Sequence, residues 1–122
     1  MHGKSVTSKV PMVVEKRWGS EKWLVNNEEE DYCSKLLNIK GGSEFSLHFH
    51  SLKHESFMLM SGWALLVWVD TKSGKENIVT MESERVYEIP RNVPHRVRAI
   101  QDSVILEIST FHRDTDSHRV NA

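Results

Sequence analysis

Cysteine is almost missing from this 122-residue chain: Cys33 is the only one. No intramolecular disulfide can form, which fits a reducing compartment. Long apolar runs are missing too. No segment approaches the roughly 18 residues needed to cross a bilayer, and the opening MHGKSVTSKVPM has no apolar core of a secretory signal. We therefore expect a soluble, cytoplasmic protein that spans no membrane. Neither sign of charge is in excess, since sixteen Lys and Arg face seventeen Asp and Glu for a formal net charge of −1. A chain so balanced, with its basic residues scattered, is not an electrostatic nucleic-acid binder. No stretch sustains the 3.6-residue apolar period of a long amphipathic helix.

What remains is a chain of one domain's length filled with short strand signals. Residues 1–13 are polar and unpatterned, and read as a flexible N-terminal arm. Residues 14–122 read as a single domain ending in a polar tail from Thr110. Within it, 22–25, 32–39, 56–60, 63–69, 77–81, 85–89, 96–100 and 104–108 read as strands, punctuated by turns such as Lys40-Gly41-Gly42-Ser43 and Ser73-Gly74. Trp63-Ala64-Leu65-Leu66-Val67-Trp68-Val69 is apolar on both faces, so we expect it to be buried on both sides. Many short strands with frequent turns predict an antiparallel sandwich or barrel.

The chemistry is concentrated between Gly42 and Gly62. His48 and His50 are two apart, so a strand would put both imidazoles on one face. Glu55 follows after a short polar break. His95 stands in the rigid turn Ile89-Pro90-Arg91-Asn92-Val93-Pro94-His95. Three imidazoles and one carboxylate suit one divalent transition metal, which ligand type alone leaves open among Mn, Zn, Ni, Co and Fe.

These residues resemble the cupins. Gly42, His48, His50, Glu55 and Gly62 fill all five fixed positions of the first cupin motif, G-x5-H-x-H-x4-E-x6-G. Pro90 and His95 match the second motif, G-x5-P-x-G-x2-H-x3-N. Glu84, Asn92 and Ala99 depart from it, and none of the three is a ligand position. Asn92 is a mild change, because Asn tolerates left-handed backbone. Arg17-Trp18-Gly19-Ser20, His48-x-His50-x2-Lys53-x-Glu55, His95-Arg96-Val97 and Glu107-Ile108-Ser109 are further similar to the cupin domain of type II mannose-6-phosphate isomerases, and the Lys53 position to cupin D-lyxose isomerases. The resemblance implies an all-β fold, a double-stranded β-helix or jelly-roll cupin barrel, with His95 brought to His48 and His50 inside it.

Other candidates surround that site. Glu107 interrupts an apolar strand, and if it faced the lumen, burial would raise its pKa and suit it to act as a general base. Tyr87 and Glu44 are weaker candidates for the same lumen. Lys53 is a candidate for holding a polar or anionic ligand. Arg96 and Arg98 share a strand face beside His95, with Arg91 nearby, and guanidinium groups clamp phosphate or carboxylate. His112 and His118 read as solvated tail residues and Cys33 as packing.

Three functions fit. The resemblance implies a sugar or sugar-phosphate isomerase, in which a Lewis-acidic metal stabilises an enediolate while Glu107 moves the proton. A non-catalytic module binding a sugar or other small molecule is the second. An iron-dependent dioxygenase is the third. A homodimer is expected from the Trp63 strand and the N-terminal arm.

Overall fold

The sequence is a series of short runs of strand-favouring residues between turns, and these runs become strands. In the computed structural model, which describes residues 3–120, the strands are β1 (Met12–Lys16), β2 (Gly19–Asn27), β3 (Tyr32–Ile39), β4 (His48–Phe49), β5 (Glu55–Ser61), β6 (Ala64–Val69), β7 (Glu76–Thr80), β8 (Val86–Ile89), β9 (His95–Ala99), β10 (Ser103–Ser109) and β11 (His118–Arg119). No α-helix occurs among the described residues. The first two residues of the expected arm and the last two of the tail lie outside them.

The strands form two antiparallel sheets. One runs β1-β2-β3-β10-β5-β8 and the other β11-β4-β9-β6-β7. Strands distant in sequence lie side by side, as in a jelly roll: β3 pairs with β10, and β4 with β9. Leu37, Ile39, Phe57, Leu59 and Ile105 from the first sheet pack against Ala64, Leu66, Val97 and Ala99 from the second. Burying these side chains against each other supplies the hydrophobic drive for closing the two sheets face to face.

Register decides what sits where. Across the first sheet, Leu59, Ile105 and Leu37 form one inward row. The next row is Phe57, Glu107 and Lys35, and the one after is Glu55, Ser109 and Cys33. One end of the interior is therefore apolar and the other is ionisable.

Three expectations need correction. The arm was expected to reach residue 13, but β1 begins at Met12, which pairs with Trp23 on β2. Trp63 does not belong to a doubly buried strand: it is 48% exposed. The turn at Ser61-Gly62 runs through it, and its N–H donates to Ser103 Oγ at 3.1 Å. The polar tail, whose histidines read as solvated, is ordered against the sheets. A single 3-10 turn at Asp114–Asp116 leads to β11, which pairs with β4.

Candidate metal centre

Strand β4 is only two residues long, yet it sets the site. His48 faces His95 directly across the β4–β9 ladder. His50 lies just beyond β4, and its position is fixed from two sides. Its carbonyl accepts the Asn92 N–H at 2.7 Å, and its ring meets the returning tail. Asn92 itself is left-handed, with φ of 68°, so the departure from glycine keeps the turn that glycine would make.

All three imidazoles are oriented the same way. His48 Nδ1 donates to Ser46 O at 2.7 Å, His50 Nδ1 to Asp116 O at 3.0 Å, and His95 Nδ1 to Val93 O at 2.9 Å. Nδ1 is thus the protonated nitrogen, and each Nε2 turns a lone pair inward. The convergent nitrogens lie within 4.8 Å of one another. His48 Nε2 and His50 Nε2 are 3.1 Å apart. Two ligands bound at right angles with bonds of about 2.1 Å would stand about 3.0 Å apart.

Glu55 closes the set from the opposite sheet. Its Oε1 lies 2.6 Å from His95 Nε2, and its Oε2 lies 3.9 Å from His50 Nε2. Both carboxylate oxygens and His95 Nε2 are buried without a well-formed hydrogen bond. A nitrogen lone pair and a carboxylate oxygen this close repel unless a cation stands between them. A proton would relieve one such contact, whereas a divalent ion would relieve all of them. The donor set therefore fits a metal. Burial, reinforced by positive neighbours, pushes the His48 and His50 imidazoles down to about 4, leaving them neutral and ready to ligate at pH 7.

Lys53, the candidate for holding a polar or anionic ligand, is buried, at 3% exposure. Its Nζ lies 3.0 Å from Glu55 Oε2, 3.1 Å from Glu107 Oε2 and 3.1 Å from His112 Nδ1. Three partners face its three N–H groups. Burial favours its neutral form, but Glu107 and Glu55 outweigh that and hold the ammonium well above its ordinary range. Burial likewise opposes the charge on Glu55, and the Lys53 ammonium 3.0 Å from Oε2 supports it. Glu107 goes the other way. Burial, joined by the Glu55 charge, pushes it up despite Lys53.

Lys53 turns inward because the loop between His50 and Glu55 wraps a buried carboxylate. Asp116 accepts the backbone N–H groups of Ser51, Leu52 and Lys53 at 2.9 to 3.1 Å. Arg91 braces the same loop, with Nε donating to Leu52 O at 2.7 Å.

These groups open onto a cavity of about 360 Å³. Around it the cations Lys16, Lys35, Lys53 and Arg119 face the carboxylates Glu21, Glu55, Glu107 and Asp114. His112, read from sequence as solvated, is corrected to a wall of this cavity. A reciprocal pair of hydrogen bonds with Asn26 fixes its backbone, and its Nε2 donates to Asp114 Oδ1 at 2.9 Å. Burial, with Lys53 and Lys35 nearby, pushes it down to about 4. Sequence reasoning missed Lys35 as well. The signal was present, because Lys35 occupies an inward position between Cys33 and Leu37.

Arg96 and Arg98 are not brought to the cavity. His95, Val97 and Ala99 are the buried residues of β9, so strand alternation sends the two arginines outward. Arg96 Nε pairs with Glu44 Oε2 at 3.3 Å instead, and Arg98 is exposed. This corrects the expectation that they clamp an anion beside His95. Tyr87 also faces elsewhere, accepting the Glu82 N–H at 2.8 Å.

No protein-family model matches the sequence, and no curated protein does. Solved structures do match. The capsular polysaccharide assembling protein CapF from Staphylococcus aureus superposes with a TM-score of 0.81 at 16% identity, over 94% of this chain and 33% of that one. A tryptophan-to-tyrosine variant of oxalate decarboxylase from Bacillus subtilis gives 0.78 at 18% identity, over 96% of this chain and 34% of that one. Both are cupin-fold proteins. This chain has the cupin fold. It spans about a third of the length of the structures it matches. One oxalate decarboxylase structure concerns that protein's Mn(II) centres, and one CapF structure holds the inhibitor 3-isopropenyl-tropolone.

Proposed function

We propose that this cupin binds one divalent transition metal through His48, His50, Glu55 and His95 and acts on a small polar or anionic molecule in the adjoining cavity. The observation that carries this reading is the convergence of three tautomer-locked Nε2 atoms beside the buried Glu55 carboxylate, whose charged partner on the other side is Lys53. A bound ion would supply Lewis acidity toward a carbonyl and its neighbouring hydroxyl.

The activity best supported is proton transfer between adjacent carbons of a sugar or sugar phosphate, an isomerisation. Glu107 is the proton carrier in this reading. It is buried, faces the cavity, and has a pKa raised toward the working pH. Lys53 fixes its carboxyl by hydrogen bond, and Phe45 and Phe57 line the cavity beside it. Elemental analysis of the purified protein tests the metal: about one equivalent is expected, lost in His50→Ala. Incubation with fructose 6-phosphate in deuterated solvent tests the reaction. Deuterium at carbon, abolished in Glu107→Gln, supports it, and no exchange on any sugar phosphate overturns the isomerase reading. Iron together with oxygen consumption would turn the assignment to a dioxygenase.

A non-catalytic binding role is favoured by one observation. Glu107 already shares Lys53 with Glu55 and His112, and a base so engaged is restrained. Ligand binding without exchange would identify this role. Of the two grounds for expecting a homodimer, the Trp63 strand and the N-terminal arm, the second is supported by Val6, Val10, Met12 and Val13, which stand exposed along the N-terminal segment and β1. Sedimentation of the full chain tests it.

A further inference from the structure

Two lysines reach the interior of this fold, and they are held differently. Lys53 faces three acceptors. Lys35, 2% exposed, has none at hydrogen-bond geometry among the described residues. Its Nζ lies 4.0 Å above the Trp23 ring. The one carboxylate oxygen within 4 Å is Glu21 Oε1, at 3.5 Å. Lys35 shares that oxygen with Trp23, whose Nε1 donates to it at 2.8 Å. An ammonium held by one long ion pair and an aromatic face keeps donors for a further acceptor.

The cavity is where its donors lead, because Lys35 lines it together with the histidines, Glu55 and Glu107. The sheet fixes the order. Lys35 pairs with Glu107 across β3–β10, and Glu107 with Phe57 across β10–β5. Lys35 thus stands two strands from β5, which carries Glu55, or about 10 Å across the sheet at roughly 4.8 Å per strand. The line from the histidines passes the Glu107 carboxyl and ends at the Lys35 ammonium.

We infer that Lys35 is the anion-recognising residue of the cavity, and that its ligand carries a metal-chelating end and, a few carbons away, an oxyanion such as a phosphomonoester or carboxylate. This deepens the proposed reading and rests on the cavity being the ligand site, but not on turnover. The cavity's four cations and four carboxylates balance, so a bound divalent ion leaves it net positive and suited to an anionic guest. Glu21 is the competing anion. Trp23 orients it, and its ion pair with the ammonium is long at 3.5 Å.

Calorimetry on metal-loaded protein tests this with two matched pairs, fructose 6-phosphate against fructose and glucuronate against glucose. The wild type is expected to bind the anionic member of at least one pair tenfold or more tightly, and the responding pair tells phosphate from carboxylate. Lys35→Met, which keeps length and apolar contact, should reduce that preference to within about twofold while leaving metal content and binding of the neutral sugar unchanged. Lys35→Arg should retain part of it. Glu21→Gln removes the competitor and should enlarge the preference, and this variant keeps the test decisive should Lys35→Met fail to fold. No preference in either pair, no binding of any of the four, a preference that survives Lys35→Met, or no gain in Glu21→Gln would each overturn the inference. A persistent anion preference without deuterium exchange would sink the isomerase and leave this site standing.

Discussion

Lys53 holds two buried carboxylates that would otherwise repel each other across the candidate metal centre. It lies 3.0 Å from Glu55 and 3.1 Å from Glu107. Replacing it by Met leaves both acids buried without a counter-charge, and breaking such a pair typically costs about 3–5 kcal/mol. We expect Lys53→Met to lower the stability of metal-free protein by that order in urea titration. Adding Glu107→Gln to it should recover part of the loss. The histidines make a second prediction. His50, held down to about 4 by burial and Lys53, titrates near 6.5 when unfolded. Between those values the unfolded chain binds more protons, so stability is present at neutral pH and falls as pH drops from about 6.5 to 4. His48 and His112 shift the same way. Glu107, pushed up, works in the opposite sense but is outnumbered. The urea midpoint of metal-free protein should therefore decline through this window, and a flat profile would contradict the neutral, buried imidazoles.

The elements show where sequence reading succeeded and where it stopped. Strand β3 was legible to the residue because its alternation is unbroken. His48, His50, Glu55 and His95 were legible because their spacing survives outside any context, and the structure brings all four together. Glu84 and Asn92 depart from glycine yet keep φ of 62° and 68°. A left-handed residue with a side chain is strained. Glu84→Gly is therefore expected to stabilise the fold by roughly 0.5–1 kcal/mol in chemical denaturation, once the entropy glycine loses is set against that strain. What sequence did not show depends on chain reversal. Nothing local to Asp116 says that it will cap three N–H groups in the loop between His50 and Glu55, nor that its carbonyl will orient His50. Those contacts exist only because β11 returns to pair with β4. Asp116→Asn keeps the carbonyl but weakens a charged acceptor, whose hydrogen bonds contribute about 1.5–3 kcal/mol. A comparable loss of stability and about tenfold weaker metal binding, measured by chelator competition, are the expected outcomes. Arg96 and Arg98 mark the converse limit. Their neighbourhood in sequence was right, but alternation on β9 turns them away from His95.

At the scale of the molecule, the site and the core occupy different ends of one interior. Leu37, Leu59 and Ile105 meet Leu66, Val97 and Ala99 at the apolar end, whereas the ionisable groups collect one and two rows away. The apolar end needs no ion to close it. Folding and metal binding should therefore be separable, unlike small domains whose core is too slight to form without their metal. Removing metal with a chelator is expected to leave the far-ultraviolet spectrum at 25 °C unchanged while lowering the melting temperature. The size follows from linkage. An ion at 1,000 times its dissociation constant stabilises by about 4 kcal/mol, or roughly 15 °C at about 4 °C per kcal/mol for a domain near this length. His50→Ala should remove most of that difference. It should also melt near the metal-free wild type, because the alanine no longer leaves a desolvated imidazole to be satisfied. Loss of the β-sheet spectrum on chelation would mean that the ion holds the two sheets together, and would turn the reading of the centre from a reactive site to a structural one.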